Sequence, residues 1–203
     1  MSKKKLIWII IAWIILTLLN YYYVPYFILA FEWILLIGFF FVLTIIQIVK
    51  LFKERKQLTR QRVYSLVIIL GLFLMTLYRD IPNRIIEKVD WLTFLNKRIE
   101  IVEQVKNNEL KPNVDWNGWV CELPFEFPIV SNGGNDIGIF KNQTDSSLTI
   151  KFWVFRNFFD NPSTYFIYTD DNQNLERLEK KINQLPKQNW KIRENWYRIY
   201  GEY

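Results

Sequence analysis

Apolar residues crowd the first eighty positions of the chain in three runs. No charge occurs from Leu6 to Leu19, only Glu32 interrupts Phe27 to Val49, and Val63 to Tyr78 is again uncharged. A helix rises about 1.5 Å per residue and the hydrocarbon core is about 30 Å thick, so roughly 20 residues cross it. The three runs reach or approach that length. The pattern therefore predicts three transmembrane helices, over residues 6–24, 27–49 and 63–79.

The first run also begins as a secretory leader does, with Lys3, Lys4 and Lys5 ahead of an apolar stretch. It is followed by Asn20-Tyr-Tyr-Tyr-Val-Pro25, which offers no small-x-small cleavage site and no lipid-accepting cysteine. Tyr21, Tyr22, Tyr23 and Tyr26 have the character of an aromatic belt at headgroup level, with Pro25 helping to turn the chain back. The segment is expected to remain as a membrane helix.

After Arg79 the periodicity changes. Ile85, Val89, Leu92, Ile99 and Val102 recur at helical spacing, with Asp80 and Pro82 suited to the first turn and Pro112 beyond the end. This predicts an amphipathic helix over 81–106 that packs its stripe on its own domain, with a homo-oligomeric seam as the second reading. LTIKFWVFRN from Leu148 and STYFIYT from Ser163 alternate as strands and should pair across FFDNP. FPIVS and DIGIFK flank NGGN as a further strand-turn-strand. DDNQNLERLEKKINQL reads as a helix capped by Asp171 or Asn172, with Leu175, Leu178, Ile182 and Leu185 inward, and NWKIRENWYRIYGEY as one or two strands. The expected architecture is a membrane-anchored α+β protein: a three-helix anchor over 1–79, then a small domain over 80–203 with two helices and a mostly antiparallel sheet.

Charge adds orientation. Lys50, Lys53, Arg55, Lys56, Arg60 and Arg62 stand against Glu54 between the second and third runs, while 20–26 carries no charge. Basic loops stay cytoplasmic, which predicts a cytoplasmic N-terminus and an extracytoplasmic domain on a bacterial-type plasma (inner) membrane. The net charge of +6 is uneven, with 10 Lys and Arg against 2 acids up to Arg79, and 16 against 18 beyond. The basicity thus reports topology and attraction to anionic lipid, and no nucleic-acid partner is expected.

Glu32 falls about 9 Å outward of the midplane of its helix and about 6 Å below the outer boundary. Arg79 ends the neighbouring run at matching depth, and its long stem makes Glu32 and Arg79 a candidate intramembrane pair. One acid and Gln47 supply no ion path. Gly38 and Gly71 are expected to admit close helix packing.

The absence of histidine removes every mechanism that needs an imidazole, including Ser-His-Asp triads, HExxH zinc sites and Cys-His pairs. Cys121, the single cysteine, can form no intramolecular disulfide and is read as a small buried residue. No phosphate-binding glycine loop is present, and no cofactor or metal is expected. Glu122 and Glu126 are the carboxylates left for an envelope-acting hydrolase. Asn132, Asn135 and Asp136 in SNGGND fit a turn better than a calcium loop, and Asn142-Gln-Thr144 fits a glycosylation acceptor.

The domain is instead rich in aromatics, among them Trp116, Trp119, Trp153, Trp190, Trp196, Phe155, Phe158, Phe159, Tyr197 and Tyr200. Most should build its core. Trp153, Phe155, Trp196 and Tyr197 are the candidates for a surface that meets a protein partner. The sequence thus points to a non-catalytic binding or partner-recognition domain held at the bilayer, in an accessory or protective role. A carboxylate hydrolase and a structural subunit of a membrane complex are the alternatives.

Overall fold

The computed structural model describes residues 1–23, 27–142, 144–156 and 162–202. Pro25 and Tyr26 of the expected outer turn, the FFDNP connection as far as Asn161 with Phe158 and Phe159, and Gln143 of the acceptor tripeptide lie outside these. Two compact units form, one of Met1–Tyr21 and Tyr26–Lys88, the other of Tyr22–Pro25 and Val89–Tyr203.

The first unit contains α1 (Lys3–Tyr23), α2 (Phe27–Lys53), a single 3-10 turn (Arg55–Gln57), α3 (Arg60–Leu77) and the start of α4 (Asp80–Lys106). Among the described residues three helices are long and apolar enough to cross a membrane: Lys3–Tyr23, Phe31–Lys53 and Arg60–Leu77. Their outward side chains, such as Ile7, Ile34, Leu35 and Val67, are apolar and exposed, the inverse of a water-facing surface and compatible with contact to lipid. Trp13, Trp33, Leu36, Phe40, Ile69 and Leu72 form the shared core.

Several polar side chains inside this bundle bond locally, as a medium without water favours. Thr76 is the hub: its hydroxyl donates to the Leu72 carbonyl at 2.7 Å and accepts from Trp13 Nε1 at 2.9 Å, while its carbonyl accepts from Trp33 Nε1 at 3.1 Å. Thr17, Thr44 and Ser65 donate to carbonyls four residues back. Gly38 and Gly71 have open space where a side chain would stand. Contrary to the expectation for them, the close contacts run through Trp13, Trp33 and Thr76.

Thr59 caps α3 by accepting from the Arg62 amide, and the chain leaves α3 at Tyr78 (φ −95°, ψ 63°). The third apolar helix therefore stops at Leu77 and α4 is a separate element. Pro82 sits in its first turn, where backbone N–H groups have no intrahelical partner to lose.

The second unit is built on one antiparallel six-stranded sheet in the order β1-β2-β3-β4-β6-β5. Its strands are β1 (Val120–Glu122), β2 (Asp136–Lys141), β3 (Leu148–Phe155), β4 (Thr164–Thr169), β5 (Trp190–Arg193) and β6 (Trp196–Tyr200), with α5 (Asn172–Gln184) between β4 and β5. Asp171 caps α5 by accepting from the Gln173 and Asn174 amides. FPIVS forms no strand; the three residues of β1 pair with β2 in its place.

Side chains alternate across the sheet, and both faces are covered. On one face Trp91 of α4 meets Phe166 and Trp196 at centroid distances of 4.8 and 5.2 Å, above buried Phe152 and Ile150. On the other, Leu178 of α5 is buried with Ile167, Tyr197 and Ile199. Leu185, expected to point inward, lies beyond the end of α5 and is exposed.

The buried side of α4 matches the expected apolar stripe at Val102, with Ile99 half-buried, and departs from it over the first half of the helix. Glu87, Asp90, Trp91, Arg98, Ile101, Val102 and Val105 face inward, whereas Ile85, Val89 and Leu92 are exposed. Arg98, only 1% exposed, donates from Nη2 to Asp90 Oδ2 at 2.5 Å and from Nε to the Val130 carbonyl at 3.0 Å. Its guanidinium lies over the Phe166 ring at 4.9 Å. Within the same unit the Tyr22 hydroxyl donates to Asp90 Oδ1 at 3.0 Å. Burial pushes the Asp90 carboxyl above its usual range, against the opposing pull of Arg98 and Tyr22.

Candidate functional site

The residues expected to form a partner surface are mostly buried. Trp153, Trp196 and Tyr197 are 6%, 3% and 1% exposed, and Phe155 is half-buried at the end of β3. The reason lies in the layering. Trp196 and Tyr197 are neighbours and point to opposite faces, one under α4 and the other under α5. A sheet covered on both sides has no alternating wet face.

A different aromatic group reaches the surface. Trp119 enters β1 with its amide bonded to Asn117 Oδ1, and its carbonyl accepts from the Ile139 amide at 2.7 Å. The indole then lies across Gly138 of β2, where a Cβ would stand 3.0 Å from the ring. It stacks on Phe140 at 5.1 Å and on Trp153 at 6.0 Å, with interplanar angles of 22° and 26°. Tyr165 continues the row at 5.8 Å from Trp153.

Two cations complete this platform. Lys151 Nζ sits 4.9 Å from the Phe140 centroid and 5.4 Å from that of Tyr165, and the Arg156 guanidinium is 4.0 Å from Trp153. Burial draws the Lys151 ammonium below its ordinary pKa. Trp119 remains 37% exposed over this support. Its sequence signal was a glycine in β2, Gly138, which pairs with Val120 and so lies beside Trp119 once the register is known.

The turn beside the platform is fixed by its own side chains. Asn135 accepts from the Val130 and Ser131 amides and donates to the Phe125 and Pro128 carbonyls. Asn132 donates to the Val154 carbonyl. Asp136 pairs with Arg156 at 2.7 Å, and Arg156 also donates to the Gly133 carbonyl. SNGGND is thus tied to β3 through the Asn132 amide nitrogen and to Arg156, just past the end of β3, through the Asp136 carboxylate, while the Asn135 oxygen closes the turn itself. Glu122 and Glu126 are exposed, and Cys121 is fully buried with its thiol pushed up by burial. Trp116 and Phe127 are the most exposed aromatics among the described residues of this unit.

In the first unit Arg79 donates to Asn20 Oδ1 at 2.5 Å and lies 5.2 Å over the Trp33 ring. Glu32 is within the field of Arg79, but among the described residues no hydrogen bond or ion pair joins the two, and both Glu32 carboxylate oxygens are buried without a hydrogen-bond partner. Glu32 borders an apolar groove of about 440 Å³ between α1 and α2, lined by Trp8, Trp13, Leu36 and Phe40. Of the expected tyrosine belt only Tyr23 is exposed among the described residues; Tyr21 is buried and Tyr22 serves Asp90. Compared with known proteins, the chain matches no family model, no curated protein and no solved structure.

Proposed function

We propose that this membrane protein presents a recognition domain on the extracytoplasmic side of a plasma (inner) membrane, and that the domain captures a partner polypeptide rather than transforming a substrate. The observation that carries this reading is the Trp119 platform, in which a partly exposed indole is braced by Phe140, Trp153, Lys151 and Arg156. A rigid aromatic with its rotamer already fixed loses little entropy on binding, which is the property of residues that dominate protein interfaces. The inward carboxylates support the same reading, since Asp90 and Asp136 hold Arg98 and Arg156, and Asp171 caps α5. The orientation rests on the basic segment from Lys50 to Arg62.

A photocrosslinking amino acid in place of Trp119, compared with one in place of Trp190, tests the proposal in intact cells. The expected result is a discrete polypeptide adduct from position 119 alone. Equal adducts from both positions, or none together with loss of activity in Glu122→Gln or Glu126→Gln, would favour carboxylate chemistry or nonspecific contact. A homo-oligomer through α4 is a second reading favoured by the exposed stripe of Ile81, Ile85, Val89 and Leu92. It requires that Leu92→Cys crosslink copies of the chain.

A further inference from the structure

On the sheet face opposite the platform, a cavity of about 460 Å³ opens between the end of α4, the segment after it and the β2–β3 connection. Its floor is apolar: Val105, Ile139 and Leu148 are buried, and Leu110 is half-buried. Its rim is basic, with Lys106, Lys111 and Lys141 against the single carboxylate of Asp170. Asp170 is already committed, accepting from the Leu148 amide at 2.6 Å and from the Tyr168 hydroxyl at 3.1 Å. Lys106 is held by Glu103 at 3.3 Å and lies 5.0 Å over the Tyr168 ring. Neither Lys111 nor Lys141 meets a carboxylate among the described residues; Lys141 contacts only the Asn108 side-chain oxygen at 3.5 Å.

We infer that this cavity takes a short acidic peptide segment, with a carboxylate between Lys111 and Lys141 and a neighbouring aliphatic side chain on the Val105–Leu110–Ile139–Leu148 floor. The charge balance of the rim demands an anion, and the floor demands an apolar group attached to it. A bare phosphate would satisfy the rim and leave the floor unused. A polypeptide of alternating acidic and aliphatic residues satisfies both, so the inference rests on the proposed capture of a polypeptide and names its chemistry.

The test uses the full chain in nanodiscs and fluorescence anisotropy with a pool of fluorescein-labelled hexapeptides in which Leu, Ile or Val alternates with Asp or Glu. An otherwise identical pool carries Asn or Gln. The expected result is saturable binding of the acidic pool only. The double variant Lys111→Gln/Lys141→Gln weakens it about tenfold, the loss of two exposed charge contacts, and Leu110→Ala weakens it as well, all with unchanged circular dichroism. Trp119→Ala retains peptide binding, so failure of the platform and failure of this cavity are distinguishable. Equal binding of both pools, wild-type binding by the lysine double variant, displacement by equimolar inorganic phosphate, or no saturable binding would each overturn the assignment.

Discussion

Trp119 lies flat on Gly138, so close that a Cβ at that glycine would come within 3.0 Å of the indole. The absence of a side chain on β2 is what lets the ring reach Phe140 and Trp153 together. Gly138→Val should therefore displace the indole and mimic Trp119→Ala. Both are expected to weaken partner capture by about thirtyfold, roughly the 2 kcal/mol of an aromatic hot spot. Trp190→Ala, on the far edge strand β5, should leave capture unchanged. Quantitative crosslinking yield against partner concentration measures all three.

Asp90 and Arg98 form the buried ion pair of the domain. Removing one partner leaves the other charge without compensation, which costs more than the pair contributes. Asp90→Asn should lose about 3 kcal/mol and lower the Tm of the detergent-solubilised chain by about 10 °C. Glu103→Gln, which breaks an exposed pair with Lys106, should shift it little.

Glu32 has both oxygens buried without a hydrogen-bond partner among the described residues. An unsatisfied polar group in apolar surroundings destabilises unless it serves a function. Glu32→Leu is accordingly expected to raise Tm and to preserve partner capture. A more stable variant that no longer captures its partner would move the functional site into the groove between α1 and α2.

Cys121 is fully buried, and burial raises the pKa of its thiol. A raised thiol pKa lowers the thiolate fraction at neutral pH, and the thiolate is the nucleophile. Native protein should resist maleimide over a time in which denatured protein reacts fully, as intact-mass spectrometry reads directly.

The three apolar helices were legible because a long uncharged run is a local property. So were β2, β3 and β4, whose residues alternate, and the Asp171 cap of α5. The buried face of α4 was not. Its inward side carries Glu87, and Asp90 and Arg98, which pair in the core, while Ile85, Val89 and Leu92 face outward. Periodicity alone selected the wrong side over the first half of the helix, whereas Val102 of the same stripe is buried as expected. The same limit applies to the platform: Trp119 was one tryptophan among several until strand register placed it on Gly138. Trp196 and Tyr197 looked exposable because nothing local announces that helices cover both faces of the sheet, and Trp153 because nothing local announces that Trp119 and Arg156 lie over it.

The proposed recognition requires the domain to stand outside the cytoplasm. Asp145→Cys, in the exposed connection before β3 and in a Cys121→Ser background, tests it with a membrane-impermeant maleimide on intact cells. Full labelling before lysis is expected. Labelling only after the membrane is opened would place the domain in the cytoplasm and contradict it.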